Sequence, residues 1–163
     1  MYEIKVIDEI IRPAVIKLII ESWGSAVMVT RGRLHYMDRL PGYVALKDGE
    51  IKGLITYYID NEQCEITSLD SFEENKGIGS KLLVEVRRTA EKSGCKRLWL
   101  ITTNDNTNAL RFYQKKGWNL CAIHLNAVDM AREIKPQIPL LGFDGIPIKH
   151  EIELELEILK AGD

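Results

Sequence analysis

The glycine pair at positions 77 and 79 has the residue types that an anion-binding turn requires. Gly77 and Gly79 flank Ile78, and the apolar residues that follow recur at helical spacing, which predicts a helix starting at this turn. Glycine lets backbone N–H groups turn toward a ligand, and a helix N-terminus carries the positive end of the helix dipole. The segment therefore predicts a site for a pyrophosphate, although a Gly-x-Gly turn alone is equally compatible with a structural role.

Two common nucleotide-binding motifs do not fit this spacing. A dinucleotide-binding turn would have a third glycine at position 82, where this chain has Leu82. The glycine spacing of a P-loop is also absent, because Glu74 and Lys76 occupy that region. Both spacings argue against a nucleotide-binding protein.

A second constellation follows a predicted strand directly, in residues 106–118. Its members are Asn106, Ala109, Phe112, Tyr113, Gly117 and Trp118. In type and spacing this segment resembles the late motif of the GNAT N-acetyltransferases, and residues 66–83 resemble the acetyl-CoA motif of the same family. The resemblance covers residues 43–158.

The resemblance implies a fold class and an activity. The fold would be α/β of the GNAT type, a mixed, mostly antiparallel central sheet with two splayed parallel strands, flanked by helices, in a single domain over residues 1–163. The activity would be acetyl-CoA-dependent transfer of an acetyl group to a primary amine of a small molecule or protein, directly within a ternary complex. CoA would lie between the two splayed strands, residues 64–69 and 97–102. A non-catalytic module of the same fold that binds or senses acyl-CoA is the alternative.

The same resemblance implies the cofactor-binding residues. Backbone groups at Leu69 and Ser71 would pair with the pantetheine arm, and an N–H near Leu69 would polarise the thioester carbonyl. The side chain of Asn106 would hydrogen-bond to this arm, and capping of the following helix is the alternative. The complete set is Leu69, Ser71, Glu74, Asn75, Lys76, Gly77, Ile78, Gly79, Ser80, Asn106, Ala109 and Tyr113.

Two positions in the turn differ from the family's pattern. The family usually has Arg or Gln three residues before the first glycine and often glycine at the next position, where this chain has Glu74 and Asn75. Asn tolerates a left-handed φ, so the backbone contacts survive. A carboxylate beside a pyrophosphate is expected to weaken CoA binding unless Glu74 points outward or pairs with Lys76.

Two side chains are candidates for proton transfer, because acetyl transfer needs a neutral amine and a proton for the leaving thiolate. Tyr113 occupies the family's position for the acid that protonates the thiolate; a core aromatic beside Phe112 is the alternative. Glu65 is the candidate base, since strand alternation places it on one face with Thr67 and Leu69. The alternative for Glu65 is an exposed strand glutamate.

The sequence indicates the residues that would bind the amine acceptor less clearly than those for the cofactor. Trp23, Arg31 and His35 lie in the region where the resemblance implies that acceptor specificity is built. The chain has three histidines, and His35, His124 and His150 share no ligand spacing. No metal site is therefore expected.

Hydrophobic periodicity predicts the elements that position these residues. Strands are expected at 2–7, 43–47, 51–59, 64–69, 97–102, 118–125 and 151–158, and helices at 13–23, 78–90, 109–113 and 127–135. Residues 25–40 show no clear period and are expected to form a short helix and loops, and residues 136–147 a long loop. In the last strand every second residue from 151 to 157 is Glu, which predicts an acidic face exposed to solvent.

The composition limits the partners. A chain of 163 residues fits one domain, and its net charge of −2 argues against nucleic acid. The three cysteines match neither a zinc pattern nor a disulfide framework. The N-terminal segment has no signal-peptide pattern and no apolar run long enough to span a bilayer. We therefore expect a cytoplasmic protein with an amine acceptor and no membrane partner, and we leave a homodimer open.

Overall fold

The structure is a computed structural model that describes residues 1–158. The helices are α1 (Arg12–Trp23), α2 (Ile78–Lys92), α3 (Thr107–Lys115) and α4 (Ala127–Ile134), and a 3-10 turn covers Phe143–Gly145. The strands are β1 (Glu3–Val6), β2 (Val27–Thr30), β3 (Arg33–Tyr36), β4 (Gly42–Lys47), β5 (Glu50–Asp60), β6 (Gln63–Ser71), β7 (Arg97–Thr103), β8 (Asn119–His124) and β9 (Glu151–Glu157). The four predicted helices are therefore confirmed with small shifts at their ends.

The described chain forms two compact units. The first contains Met1–Met28, Tyr36–Leu98 and Ile158, and its antiparallel strands pair in the order β1-β4-β5-β6. The second contains Val29–His35 and Trp99–Glu157, with the strand order β7-β9-β8. The predicted fold class is confirmed: the structure is mixed α/β, with mostly antiparallel strands, one parallel pair and four helices. A single domain over residues 1–163 stays a prediction.

In the first unit, α1 packs its apolar stripe on one face of the sheet. Val15 and Ile19 of α1 are buried with Val44 of β4 and Leu54 of β5 in one hydrophobic cluster. Burial of a side chain of this size contributes about 1.5–3 kcal/mol. The helix ends as predicted at Gly24, whose φ of 76° is left-handed and whose N–H donates to the carbonyl of Ile20.

On the opposite face of the sheet, α2 packs directly on β5. Successive side chains of a strand point to opposite faces, so Gly53 faces away from the side that Leu54 presents to α1. A Cβ atom at Gly53 would lie 2.4 Å from Cγ2 of Ile78 and 3.3 Å from Cδ1 of Leu82. The absence of a side chain at Gly53 therefore lets the first turn of α2 approach the strand.

The predicted hairpin between β4 and β5 is confirmed. Asp48 and Gly49 have φ values of 52° and 79°, as a two-residue turn between twisted strands requires. The next turn lies at Asn61 and Glu62, with φ values of 49° and 61°, one residue later than expected.

The prediction of a short helix within residues 25–40 is wrong. β2 and β3 form a two-stranded hairpin whose turn residues, Arg31 and Gly32, have φ values of 49° and 73°. A side-chain hydrogen bond of 2.9 Å between Thr30 Oγ1 and His35 Nε2 lies within this hairpin.

The prediction of a solvent-exposed acidic face on β9 is also wrong for its first half. Glu151 and Glu153 are only 3% and 6% exposed. The backbone N–H of Arg31 donates to Glu151 at 2.9 Å, and the Arg31 guanidinium lies 3.3 Å from Glu153. His124 Nε2 also lies 3.1 Å from Glu153. The turn of the β2–β3 hairpin therefore covers these carboxylates.

The predicted loop at residues 136–147 is confirmed as irregular but is held at several points. The guanidinium of Arg132 donates to the carbonyls of Ile138, Pro139 and Ile148. The buried carboxylate of Asp105 accepts from the N–H of Phe143 at 3.2 Å. These contacts fix the path of the loop within the second unit.

Within residues 1–158, no helix is long and apolar enough to cross a membrane.

Replacing Gly53 with Ala is expected to destabilise the protein by about 1–3 kcal/mol, because the added methyl group overpacks the contact between β5 and α2. Urea unfolding followed by circular dichroism measures this cost. Val84→Ala, on the exposed side of α2, is the control and should change stability by about 0.5 kcal/mol or less. Equal unfolding midpoints for the Gly53 variant and the wild type would contradict the close approach of α2.

Candidate active site

The segment at residues 74–80, named here the phosphate turn, ends in the first turn of α2. Gly77 precedes the helix with a left-handed φ of 71°, and no side chain of the described chain caps the helix. The first intrahelical bond runs from Lys81 N to Gly77 O at 3.1 Å. The N–H groups of the first helical turn therefore lack intrahelical acceptors and are available to an anion.

The two glycines of this turn differ in conformation. Gly77 is left-handed, whereas Gly79 lies inside the first turn of α2 and is absent from the residues with positive φ. Conformational freedom is therefore required at Gly77, while at Gly79 the relevant property is the absence of a side chain beside the helix N-terminus. The binding roles expected for residues 77–80 stay predictions.

Glu73, just before the phosphate turn, contacts two residues that are far away in sequence. The hydroxyl of Tyr2 donates to its carboxylate, and Lys52 Nζ lies 3.7 Å away. The Tyr2 hydrogen bond, with the ammonium groups of Lys52 and Lys47, holds the pKa of Glu73 below its usual value. These contacts fix the start of the turn and keep the Glu73 charge compensated.

At the two positions that depart from the family's pattern, the expectation for Asn75 is confirmed, and Glu74 does not pair with Lys76. Asn75 adopts a left-handed φ of 57°. Glu74 is exposed and forms no ion pair with Lys76 or another residue of the described chain. Its negative charge within the phosphate turn is therefore not neutralised by a neighbouring side chain.

A β-bulge in β6 overturns the predicted face of Glu65. Opposite Thr56 of β5 lies Ser68, but opposite Tyr57 lies Ile66, so Thr67 is an extra residue in β6. Beyond the bulge the alternation is shifted by one residue. Glu65 consequently shares the α1 face with Asp70, whereas Leu69 points to the α2 face.

Glu65 is almost fully buried, with 1% of its surface exposed. The alternative of an exposed strand glutamate is therefore wrong, and its role as a base stays a prediction.

Asp70, near the end of β6, was not among the predicted residues. Register places it opposite Leu54, on the α1 face, and its Oδ2 accepts a hydrogen bond of 3.0 Å from the indole N–H of Trp23. Burial raises the pKa of Asp70 above its usual value, and the Trp23 hydrogen bond opposes this shift. The structure thus joins the predicted acceptor residue Trp23 to the strand that carries Leu69 and Ser71.

In the second unit, Asn106 caps α3. Its side-chain oxygen accepts from the N–H of Ala109 at 3.1 Å, which confirms the capping alternative and leaves its amide NH₂ group for another contact. Tyr113 is buried in α3, with its ring centroid 5.2 Å from that of Trp118 and 5.1 Å from that of Phe112. These contacts fix the Tyr113 ring, and its role as an acid stays a prediction.

The other predicted acceptor residues have structural contacts. Arg31 bonds to the carboxylates of β9, and its guanidinium lies 5.8 Å from the Trp99 ring centroid. His35 is buried and contacts Thr30. Their part in acceptor recognition stays a prediction.

Asp70, Glu73 and Asp105 are the residues that sequence reasoning missed. Each is an acidic residue with at least one partner far away in sequence: Trp23 for Asp70, Tyr2 for Glu73 and Phe143 for Asp105. For Asp105 a signal existed, since it lies beside Asn106 at the end of a predicted strand, where polar side chains often converge.

Among the described residues, no group of three or more His, Cys, Asp or Glu side chains is arranged to hold a metal ion.

Comparison with known proteins identifies the family. The model of the "Acetyltransferase (GNAT) family" matches residues 11–118. YdhI, an uncharacterized protein of Bacillus subtilis (strain 168), is 45% identical over 146 residues, which cover 89% of this chain and 91% of YdhI. The chain belongs to the GNAT acetyltransferase family.

Two solved structures of acetyltransferases share the fold. An IAA acetyltransferase from Bacillus cereus ATCC 14579 has a TM-score of 0.74 and 24% identity over 97% of this chain and 100% of that chain. A Bacillus subtilis acetyltransferase in complex with CoA has a TM-score of 0.72 and 20% identity over 98% of this chain and 100% of that chain. At these identities the likeness shows the GNAT fold alone, and acetyl transfer is the activity of the family.

Replacing Gly77 with Val is expected to weaken acetyl-CoA binding by this GNAT protein at least tenfold, because a β-branched residue strains the left-handed position in front of α2. Isothermal titration calorimetry with acetyl-CoA measures the change. Gly94→Val is a matched control: its φ is 76°, and at both glycines a Cβ would meet no atom of the described chain within 4 Å. The control should lose similar stability and keep its affinity; equal affinity losses would remove the phosphate assignment.

Replacing Glu74 with Arg is expected to tighten CoA binding roughly 2- to 10-fold at low salt, because it reverses a charge beside a helix N-terminus. The gain should shrink in added salt. Glu91→Arg makes the same charge change about 20 Å along α2 and should leave the affinity unchanged. No gain at low salt, or an equal gain from both variants, would show that charge at position 74 does not act locally.

Proposed function

We propose that this chain is an acetyl-CoA-dependent N-acetyltransferase that moves an acetyl group to a primary amine of a small molecule or protein by direct transfer in a ternary complex. The observation that carries the proposal is the uncapped N-terminus of α2 behind left-handed Gly77. This arrangement fits a pyrophosphate, because unpaired N–H groups and the helix dipole both favour an anion. Membership in the GNAT family supports acetyl-CoA as the ligand.

Acetyl-CoA supplies the acetyl group as an activated thioester. The N–H groups of Gly77, Ile78, Gly79 and Ser80 would bind the pyrophosphate. Backbone groups of Leu69 and Ser71 would hold the pantetheine arm, and the amide NH₂ of Asn106 would donate to it, since the Asn106 oxygen is already used by the α3 cap. An N–H near Leu69 would stabilise the developing oxyanion.

Tyr113 would protonate the thiolate that leaves when the tetrahedral intermediate collapses. Its ring is packed edge-on against Trp118 and Phe112, so the direction of the hydroxyl is fixed by the core of the second unit. A fixed donor loses little entropy when it transfers its proton, which is the condition for effective acid catalysis.

Glu65 is the proposed base for the acceptor amine. It lies on the α1 face of β6, the same face as Asp70. Trp23, Arg31 and His35 are proposed on the acceptor side, with Trp23 best placed through its contact with Asp70. A cytoplasmic location and a homodimer stay predictions of the sequence.

Replacing Tyr113 with Phe is expected to lower kcat by about 10²–10⁴-fold and to leave acetyl-CoA affinity nearly unchanged, because only the hydroxyl is removed. Steady-state kinetics that follow CoA release measure the effect. Tyr43→Phe, which removes a hydroxyl that contacts Thr89 between β4 and α2, is the control and should keep its kcat. Normal turnover by the Tyr113 variant would assign protonation of the thiolate to water.

Two measurements separate the enzyme from a non-catalytic acyl-CoA-binding module and from a nucleotide-binding protein. Thermal shifts with acetyl-CoA, CoA, NAD and ATP identify the ligand, because a ligand at 100 times its Kd stabilises the protein by about 2.7 kcal/mol. A screen of polyamines, amino acids, aminoglycosides and peptides that monitors CoA release then tests turnover. Stabilisation by acetyl-CoA without CoA release from any amine would favour the binding module.

A further inference from the structure

The half-buried carboxylate of Asp70 has an aromatic neighbour and no positive charge. Its Oδ2 accepts from the indole N–H of Trp23 at 3.0 Å. Within residues 1–158, no Lys, Arg or His side chain forms an ion pair with Asp70. A carboxylate offers about four lone-pair positions, so one indole donor leaves most of its acceptor capacity available to a ligand.

Three other carboxylates with low exposure have either a cation or two hydrogen-bond donors. Asp105 has two neutral donors, the Thr103 hydroxyl and the Phe143 N–H. Glu73 accepts from Tyr2 and lies near Lys52, and Glu153 lies against Arg31 and His124. Removal of a carboxylate from water is costly unless a cation or several donors replace the water. Asp70 has a single neutral donor in the described chain, so a cationic ligand could complete its site.

The position of Asp70 in β6 indicates that this cationic ligand is the acceptor amine. Asp70 lies between Leu69 and Ser71, the two residues whose backbone groups are proposed to hold the thioester end of acetyl-CoA. Strand alternation directs the Asp70 side chain to the α1 face and its two neighbours to the α2 face. An amine that reaches the thioester from the α1 face therefore meets the carboxylate of Asp70 beside the indole of Trp23.

Trp23 contributes the orientation of the Asp70 carboxylate. It is the last residue of α1, it is 40% exposed, and its indole N–H is used by Asp70.

We propose that Asp70, positioned by Trp23, binds the acceptor as an ammonium ion, and that the acceptors are aliphatic amines rather than aromatic amines, which are uncharged at neutral pH. This inference rests on the proposed function, in which Glu65 takes the ammonium proton before the neutral amine attacks the thioester. It assigns to Asp70 the recognition of the amine, and to Trp23 the orientation of the carboxylate.

A binding experiment tests the inference without acetyl-CoA or turnover. In ¹H–¹⁵N spectra, the Trp23 indole resonance is identified by its loss in Trp23→Phe. Titration with n-butylammonium chloride should shift this resonance in a saturable manner, while 1-pentanol, a neutral molecule of similar size, should not. Asp70→Asn keeps an oxygen that can accept from Trp23 but removes the charge, and it should weaken n-butylammonium binding about tenfold or more. Absence of a shift, an equal shift with 1-pentanol, or unchanged binding by the Asn variant would overturn the inference.

Kinetics with an aliphatic amine from the acceptor screen give a second readout. Asp70→Asn should raise the KM for the amine about 10- to 100-fold and leave the KM for acetyl-CoA unchanged. Asp70→Glu should recover part of the loss, and Asp38→Asn, at an exposed position, should have no effect. Equal rises in both KM values would indicate a structural role and would also overturn the inference.

The two proposals fail in distinguishable ways. If the protein does not bind acetyl-CoA, the proposed function fails, and the n-butylammonium titration still decides whether Asp70 is a cation site. If acetyl-CoA binds and amines are acetylated but Asp70→Asn has normal kinetics, the function stands and Asp70 is not its amine-binding group.

Discussion

The approach of α2 to β5 at Gly53 is the constraint on which the candidate site depends. With no side chain at Gly53, Ile78 and Leu82 reach the strand directly, which brings the first turn of α2 against the sheet. Gly77 then has to turn the chain through a left-handed conformation immediately before the helix. The unpaired N–H groups of the first turn are thereby presented in front of the sheet. A larger residue at position 53 would displace the helix and the phosphate turn together.

The bulge in β6 determines which groups lie on the α1 face, the proposed acceptor side. The hydroxyl of Thr56 lies 2.7 Å from that of Thr67 and 2.6 Å from that of Ser68, so these contacts stabilise the extra residue at the point where the alternation shifts. In a regular strand, Glu65 and Leu69 would share a face. Because of the bulge, Glu65 and Asp70 share the α1 face instead, and one short strand directs carboxylates to one side and the proposed thioester contacts to the other.

Local chemistry decides how much of this fold could be predicted. The hairpin at Asp48 and Gly49 was predictable because the dipeptide itself favours the φ values that the turn needs. Arg31 and Gly32 form a similar turn, but Arg carries no such signal, and strands of four residues are too short to show alternation. The Thr67 bulge was also invisible, because one extra residue changes neither composition nor periodicity enough to be recognised.

The partners of the acidic residues could not be predicted from local sequence. The phosphate turn and the Asn106 cap are local in sequence and were predicted. The partners of the acids are not local: Tyr2 reaches Glu73 across 71 residues, and Arg31 reaches Glu151 across 120. Sequence alone therefore predicted an exposed acidic strand where the fold supplies an arginine. The same fold supplies only a neutral indole donor to Asp70 within the described chain. A half-buried carboxylate with one neutral donor beside the proposed thioester position has the charge arrangement that we propose for binding a cation.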